Sequence, residues 1–342
     1  MELSFDGRRV RGGTAARERF YDSRGYGRPK DGGLVLAPVE AAHLLFRGDL
    51  EGVVDDAGDR LGFRDFLRRA VSEVAFLVYK DLRDRGFYLS PDGPTAFVVY
   101  PRGSGPWDET AAYRVRAVSE RAPVPAAGLR ELATGTGTGV LAVVDEESEV
   151  PYLGVSEPTV AGATDHELPA VEGELLADRA IAWEPPSALH ERAFYGQPLD
   201  RDGEAIQLSL VEAAYLAATG TLGLEADPEA VAARGRAVEG ERFDRRRRVY
   251  RTLREAGAVP KTGFKFGADF RTYAEVTSVE QLGHSERLVR VLSAGHEFDP
   301  RELALDVRLA GGVRKEMVFA LVGDDGGDGE GIEWLALERL TP

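Results

Sequence analysis

The chain of 342 residues has no cysteine. Disulfides and thiolate metal sites are therefore excluded, which suits an intracellular protein. Lysine is nearly absent: Lys30, Lys80, Lys261, Lys265 and Lys315 are the only ones, so arginine supplies almost all of the 43 basic side chains. Long apolar runs are missing too. Nothing approaches the ~18 residues of a membrane span, and the polar start, residues 1–13, does not resemble a secretory signal. The expectation is a cytoplasmic protein with no membrane partner. Histidines are few, and the Asp/Glu clusters lack histidines at ligand spacing, so neither a metal site nor another cofactor is expected.

Acid is abundant. Asp and Glu number 58 and the net charge is −15. The plain reading is a soluble surface. The sharper one, favoured here, is a halophilic cytoplasm in which carboxylates keep the surface hydrated. Such a charge ordinarily argues against a nucleic-acid partner. In high salt that argument weakens, because the counterion-release term shrinks. Binding would then rest on local arginine contacts and shape.

The chain states one plan twice. Val39-Glu40-Ala41-Ala42-His43-Leu44 returns as Val211-Glu212-Ala213-Ala214-Tyr215-Leu216. Tyr26-Gly27-Arg28-Pro29 returns as Tyr195-Gly196-Gln197-Pro198, and Leu82-Arg83-Asp84-Arg85-Gly86 as Leu253-Arg254-Glu255-Ala256-Gly257. The offset is nearly constant and close to half the chain, too long for a solenoid repeat. This implies a duplicated domain, residues 1–166 and 167–342. In each half, short Gly-punctuated strands (residues 3–10 and 174–181) lead to helices at 38–46 and 208–218, then to long helices at 66–85 and 242–256 that stop at Gly86 and Gly257. Alternating strands follow: 95–100 and 264–276, then 112–119 and 287–293. Asp299-Pro300-Arg301-Glu302 places an N-cap, an N1 proline and an N3 glutamate in order. It predicts a helix to about Leu309, stopped by Gly311-Gly312 before a strand at 313–322, matched by 140–144 in the first half. The fold class is α+β in tandem duplication, each repeat with a helical and short-strand N-terminal subdomain and a mixed α/β, nuclease-like C-terminal subdomain.

Three residues of the second half lie beside turn or strand-end signals: Tyr273, His284 and Lys315. Those residue types suit RNA cleavage by the 2′-hydroxyl. A base removes the 2′-OH proton, an acid protonates the departing 5′-oxygen, and a cation stabilises the crowded phosphorane. Histidine fits the acid role near neutral pH. Tyrosine needs a nearby cation to act as base.

Lys261-Thr262-Gly263-Phe264-Lys265-Phe266-Gly267 with Phe270-Arg271-Thr272-Tyr273, then His284-Ser285-Glu286, then Val307-Arg308-Leu309-Ala310 and Val313-Arg314-Lys315-Glu316-Met317-Val318-Phe319-Ala320 resemble the archaeal tRNA-splicing endonucleases (tRNA-intron lyases). The whole-chain duplication resembles their homodimeric euryarchaeal class with two fused repeats. The resemblance implies intron removal from precursor tRNA by metal-free cleavage at both sites of a bulge-helix-bulge RNA, leaving 2′,3′-cyclic phosphate and 5′-hydroxyl ends. It assigns Tyr273 as general base, His284 as general acid and Lys315 as the transition-state cation. It also implies that Arg308 and Arg339 clamp a flipped bulge base. The first copy keeps Tyr100, but the His284 position falls near Thr110 and the Lys315 position at Gly137. It should be inactive, and the resemblance implies that its acidic loop, Asp145, Glu146, Glu147 and Glu149, contacts the other subunit. A second acidic stretch, residues 323–331, occupies the same place in the second copy.

Competing readings are weaker. In Gly135-Thr136-Gly137-Thr138-Gly139 a strand follows, whereas a phosphate-cradling loop precedes a helix. Arg245 to Arg248 lie on a predicted helix and cannot all face one side, so a mostly solvated helix is expected. His43 and His190 read as surface or packing residues, and no motif requires His296. The alternative function is a non-catalytic RNA-binding or assembly subunit of a splicing complex, which the first copy alone would fit. A metal-dependent nuclease is the third class, and it makes the opposite forecast about chelation.

Overall fold

The computed structural model describes residues 3–108, 110–199, 204–225, 227–323 and 331–342. The second acidic stretch, from Asp324 to Glu330, lies outside the described residues. Packing divides the chain into two compact units. One comprises Met1–Ser156, Glu297–Leu305 and Glu338–Pro342; the other comprises Glu157–His296 and Asp306–Leu337. Short pieces of the second half thus pack with the first: Glu297–Phe298 pairs antiparallel with Val124–Pro125 inside the first unit. As a division of the repeats, residues 1–166 and 167–342 remain our proposal.

Each unit is α+β, and the two repeat one design. In the first, six short strands form a sheet in the order Arg28–Lys30, Gly33–Leu36, Val10–Gly12, Ser4–Phe5, Val53–Asp55, Arg60–Leu61. The helix Pro38–Phe46 buries Val39, Ala41, Ala42, Leu44 and Leu45. In the second, the strands Gln197–Pro198, Ala205–Ser209, Arg179–Trp183, Val171–Leu175 and Leu222–Gly223 form a five-stranded sheet. Leu210–Ala218 is the matching helix. His43 is a packing residue: it is fully buried, its Nδ1 lies 2.9 Å from the Tyr26 hydroxyl, and burial lowers its pKa to about 4.

The C-terminal subdomains show the duplication in their hydrogen-bond register. In the first, Phe97 of strand Ala96–Val99 is opposite Val115 of Tyr113–Ser119, which is opposite Val140 of Thr138–Val144. In the second, Phe270 of strand Phe270–Tyr273 is opposite Val289 of Arg287–Ser293, which is opposite Val318 of Glu316–Val322. In both, the first pairing is antiparallel and the second parallel. Counting outward from these triplets places Tyr100 on Tyr273, Thr110 on His284 and Gly137 on Lys315. These apolar triplets face helices Glu73–Asp84 and Arg242–Glu255 in the two main cores, and the strands Thr138–Val144 and Glu316–Val322 are buried along nearly their whole length, as strands covered on both faces are.

Four expectations about elements change. Residues 66–85 form two helices, Phe63–Ala70 and Glu73–Asp84, because Val71 is extended and Ser72 caps the second by accepting from Ala75 N. Residues 264–276 are not one strand. Phe264–Phe266 is a 3₁₀ turn closed by left-handed Gly267, and the strand is only Phe270–Tyr273. The helix expected to end near Leu309 runs through both glycines, Pro300–Gly312. The left-handed residue that ends it is Arg314, at φ 57°. The Arg245–Arg248 face is half-buried rather than mostly solvated: Arg246 pairs with Glu239 and Arg248 donates to the Gly323 carbonyl at 2.6 Å. As expected, a strand rather than a helix follows Gly135 to Gly137. Among the described residues, no helix is long and apolar enough to cross a membrane.

Candidate active site

Three strand ends meet in one row. Thr272 is opposite Arg287, and Arg287 is opposite Glu316. Beyond that row the ladder continues, since Glu286 N donates to Thr272 O and Glu316 N donates to Glu286 O, both at 3.0 Å. The next row is therefore Tyr273, Glu286 and Lys315. At strand spacings of ~4.8 Å, the backbones of Tyr273 and Lys315 lie about 10 Å apart, with the Glu286 strand between them. His284 is two residues upstream of Glu286, in the loop that enters the strand.

Tyr273 is 4% exposed. Its ring packs edge-on against Phe194 at 5.7 Å, in a small cluster with Val259 and Val276. Its hydroxyl makes no hydrogen bond among the described residues. The Arg271 guanidinium, two residues away on the same strand face, lies 5.7 Å from the ring. This cation beside the ring was not singled out from the sequence. An arginine two positions before the tyrosine on an alternating strand was the available signal.

Lys315 is set by the end of its helix: its backbone N–H donates to Ala310 O at 2.9 Å. Its ammonium donates to the Ser285 carbonyl, which ties it to the loop carrying His284. Burial lowers the Lys315 pKa from its ordinary value, Arg271 lowers it further, and Glu286 opposes both. Glu286 also accepts from Ala274 N at 2.9 Å, so it brackets the site without occupying it. His284 is exposed and without a hydrogen bond among the described residues. The arrangement offers a buried aromatic ring with a guanidinium near it, an ammonium fixed at its helix end, and an exposed imidazole.

The remaining predicted residues lie on other elements. Arg308 is exposed on helix Pro300–Gly312, and Arg339 is exposed on strand Ile332–Leu340. Asp145 is occupied within its own turn, accepting from Glu147 N and Glu149 N at 2.9 and 2.8 Å. Glu146 pairs with Arg121, whereas Glu147 and Glu149 are exposed. In the first copy, the Tyr100 hydroxyl is 3.1 Å from Ser90 Oγ and 3.3 Å from Arg28 Nη2. Among the described residues, no three His, Cys, Asp or Glu side chains gather to hold a metal ion.

Comparison with known proteins bears on the whole chain. A family model described as tRNA intron endonuclease, catalytic C-terminal domain, matches twice, at residues 73–152 and 243–334. The corresponding N-terminal domain model matches at residues 1–67 and 171–234. The tRNA-splicing endonuclease of Haloarcula marismortui is 61% identical, covering 100% of both chains. That of Halobacterium salinarum is 53% identical, again over 100% of both, and that of Methanosarcina mazei is 39% identical over 99% of both. With two interleaved pairs of domain matches and full-length relatives at this identity, the chain belongs to the tRNA-splicing endonuclease family.

Proposed function

We propose that the chain removes introns from precursor tRNA by cutting both splice sites of a bulge-helix-bulge RNA, through 2′-hydroxyl attack and without a metal ion. The observation that carries this is the strand-end row of Tyr273, Glu286 and Lys315, with His284 on the loop that Lys315 anchors. Tyr273 takes the 2′-OH proton as general base. Lys315 stabilises charge developing on the non-bridging phosphate oxygens. His284 protonates the departing 5′-oxygen. The products are a 2′,3′-cyclic phosphate and a 5′-hydroxyl. Arg308 and Arg339 hold a flipped bulge base between their guanidinium planes. The chain works in the cytoplasm as a homodimer, with one active site per chain for two cuts, and the loop of Asp145, Glu146, Glu147 and Glu149 contacts the partner. Any charge attraction in that contact is weakened by salt.

The purified protein is expected to cut a bulge-helix-bulge RNA at both bulges, equally well with excess EDTA. Loss of cleavage on chelation, or 2′,3′-diol and 5′-phosphate ends, would reject the mechanism. Light scattering that reports a monomer under cleavage conditions would reject the dimer. Tyr100→Phe is expected to leave the cleavage rate within about twofold of the parent, because the first copy has Thr110 and Gly137 where the second has His284 and Lys315. A loss above tenfold in single-turnover assays would show that the first copy takes part in the chemistry.

A further inference from the structure

The turn that interrupts the expected strand presents an aromatic side chain to solvent. Phe264 is 86% exposed, the most exposed large apolar side chain among the described residues. Its backbone is held firmly. Phe266 N donates to Gly263 O at 2.8 Å, Gly267 N to Phe264 O at 3.2 Å, and Gly263 N to Asp269 O at 3.2 Å. Gly267 is left-handed at φ 69°. A Cβ on Gly263 would come within 2.7 Å of the Ala268 carbonyl oxygen. Asp269 fixes the far end of the turn: its carboxylate accepts from Arg242 at 2.6 Å and from Val291 N at 2.8 Å. The ring is therefore held out by a built turn and is not a loose loop residue.

The surroundings indicate what meets it. Lys265 is exposed beside it, and the Phe266 ring lies 5.8 Å from the Lys315 ammonium, which sets the turn next to the candidate catalytic cation. A chain of net charge −15 has only five lysines; Lys265 lies in this turn and Lys315 beside it. Cationic and aromatic groups side by side suit an unpaired nucleotide, whose base stacks while its phosphate meets the ammonium. Stacking also survives the salt that screens phosphate attraction. Resting on the function proposed above, we propose that Phe264 is a stacking platform for an unpaired nucleotide next to the cleaved bond, with Lys265 on the adjoining phosphate.

The test uses the full-length protein and a bulge-helix-bulge RNA, with cleavage kinetics and equilibrium binding measured across a salt series. Phe264→Ala is expected to weaken RNA binding about tenfold, a loss seen in KM rather than kcat, and Phe264→Trp to restore it with its fluorescence quenched by the RNA. The Phe264→Ala deficit should persist as salt rises, whereas that of Lys265→Ala should shrink. Unchanged RNA affinity in Phe264→Ala would overturn the proposal. So would a Phe264→Ala effect on self-association alone, which would make the ring a contact with a second copy. A wild-type protein that binds the RNA without cutting it would sink the proposed function, while the binding series would still decide the role of Phe264.

Discussion

Lys315→Ala is expected to lower the rate of RNA cleavage by about 100- to 1,000-fold, with the loss in kcat and little change in KM. The ammonium opposes charge that grows on the phosphate only as the phosphorane forms, so its removal costs transition-state stabilisation and not ground-state affinity. Its position is imposed by the helix end and by the Ser285 carbonyl. Lys315→Arg should therefore recover only part of the rate, since a planar guanidinium cannot reproduce a point charge there. His284→Ala should fall by about 100- to 10,000-fold for a different reason, the loss of the general acid. A substrate with sulfur in place of the 5′-oxygen separates the two. A thiolate leaves without protonation, so this substrate should restore most of the rate to His284→Ala and little to Lys315→Ala. Equal rescue of both variants, or full activity in either, would reject the assignment of roles.

The three proposed catalytic residues stood out in the sequence because each sits at a boundary: Tyr273 at the end of an alternating strand, His284 at the entry of the next, Lys315 after a helix stop. Their row became visible only with the register, which depends on which strand neighbours which. The duplication was legible because residues 39–44, 26–29 and 82–86 return at a near-constant offset, and the apolar triplets Phe97, Val115, Val140 and Phe270, Val289, Val318 keep equivalent pairings. Other features were hidden by ambiguous patterns. Residues 264–276 alternate well enough to suggest one strand, yet hydrogen bonds centred on Gly263 and Asp269 fold the first part into a turn. The break at Val71 and Ser72 was masked because apolar residues continue at helical spacing on both sides. The Gly311-Gly312 stop signal was overridden by the packing of Leu303, Val307 and Ala310, each buried. Arg271 was overlooked because a lone strand arginine carries no message until its guanidinium is found beside the Tyr273 ring.

Lys261→Met is expected to destabilise the second unit by about 3–5 kcal/mol, since it leaves a buried carboxylate without its cation. Lys261 Nζ lies 3.1 Å from Glu212 and 2.9 Å from the Gly196 carbonyl; the two charged side chains are only 10% and 9% exposed. Burial by itself would raise the Glu212 pKa and also lowers that of Lys261. Lys261, Ser209 and Gly196 outweigh it at the carboxylate and hold Glu212 at about 2. The ionic form is the one the geometry favours, because Glu212 accepts from Ser209 N, Ser209 Oγ and Gly196 N. The first copy has the same glutamate without the lysine. Register places Ser90 where Lys261 stands, and burial raises Glu40 to about 7 against hydrogen bonds from Gly27 and Ala37. The two copies should therefore respond oppositely to pH. A depressed carboxyl contributes stability above its unfolded value near 4.5, lost as pH falls toward 2. A raised one contributes below 4.5, and that contribution is lost as pH rises through 7. Glu40→Gln should accordingly be mild at pH 5, become increasingly stabilising relative to the parent as pH rises to about 7 and level off above it, whereas Glu212→Gln should destabilise throughout pH 5–8. Thermal unfolding of both variants at pH 5 and 8, in fixed salt, checks this. Midpoints that move in parallel for the two variants would contradict the asymmetry, and a Lys261→Met midpoint within a degree of the parent would contradict the buried pair.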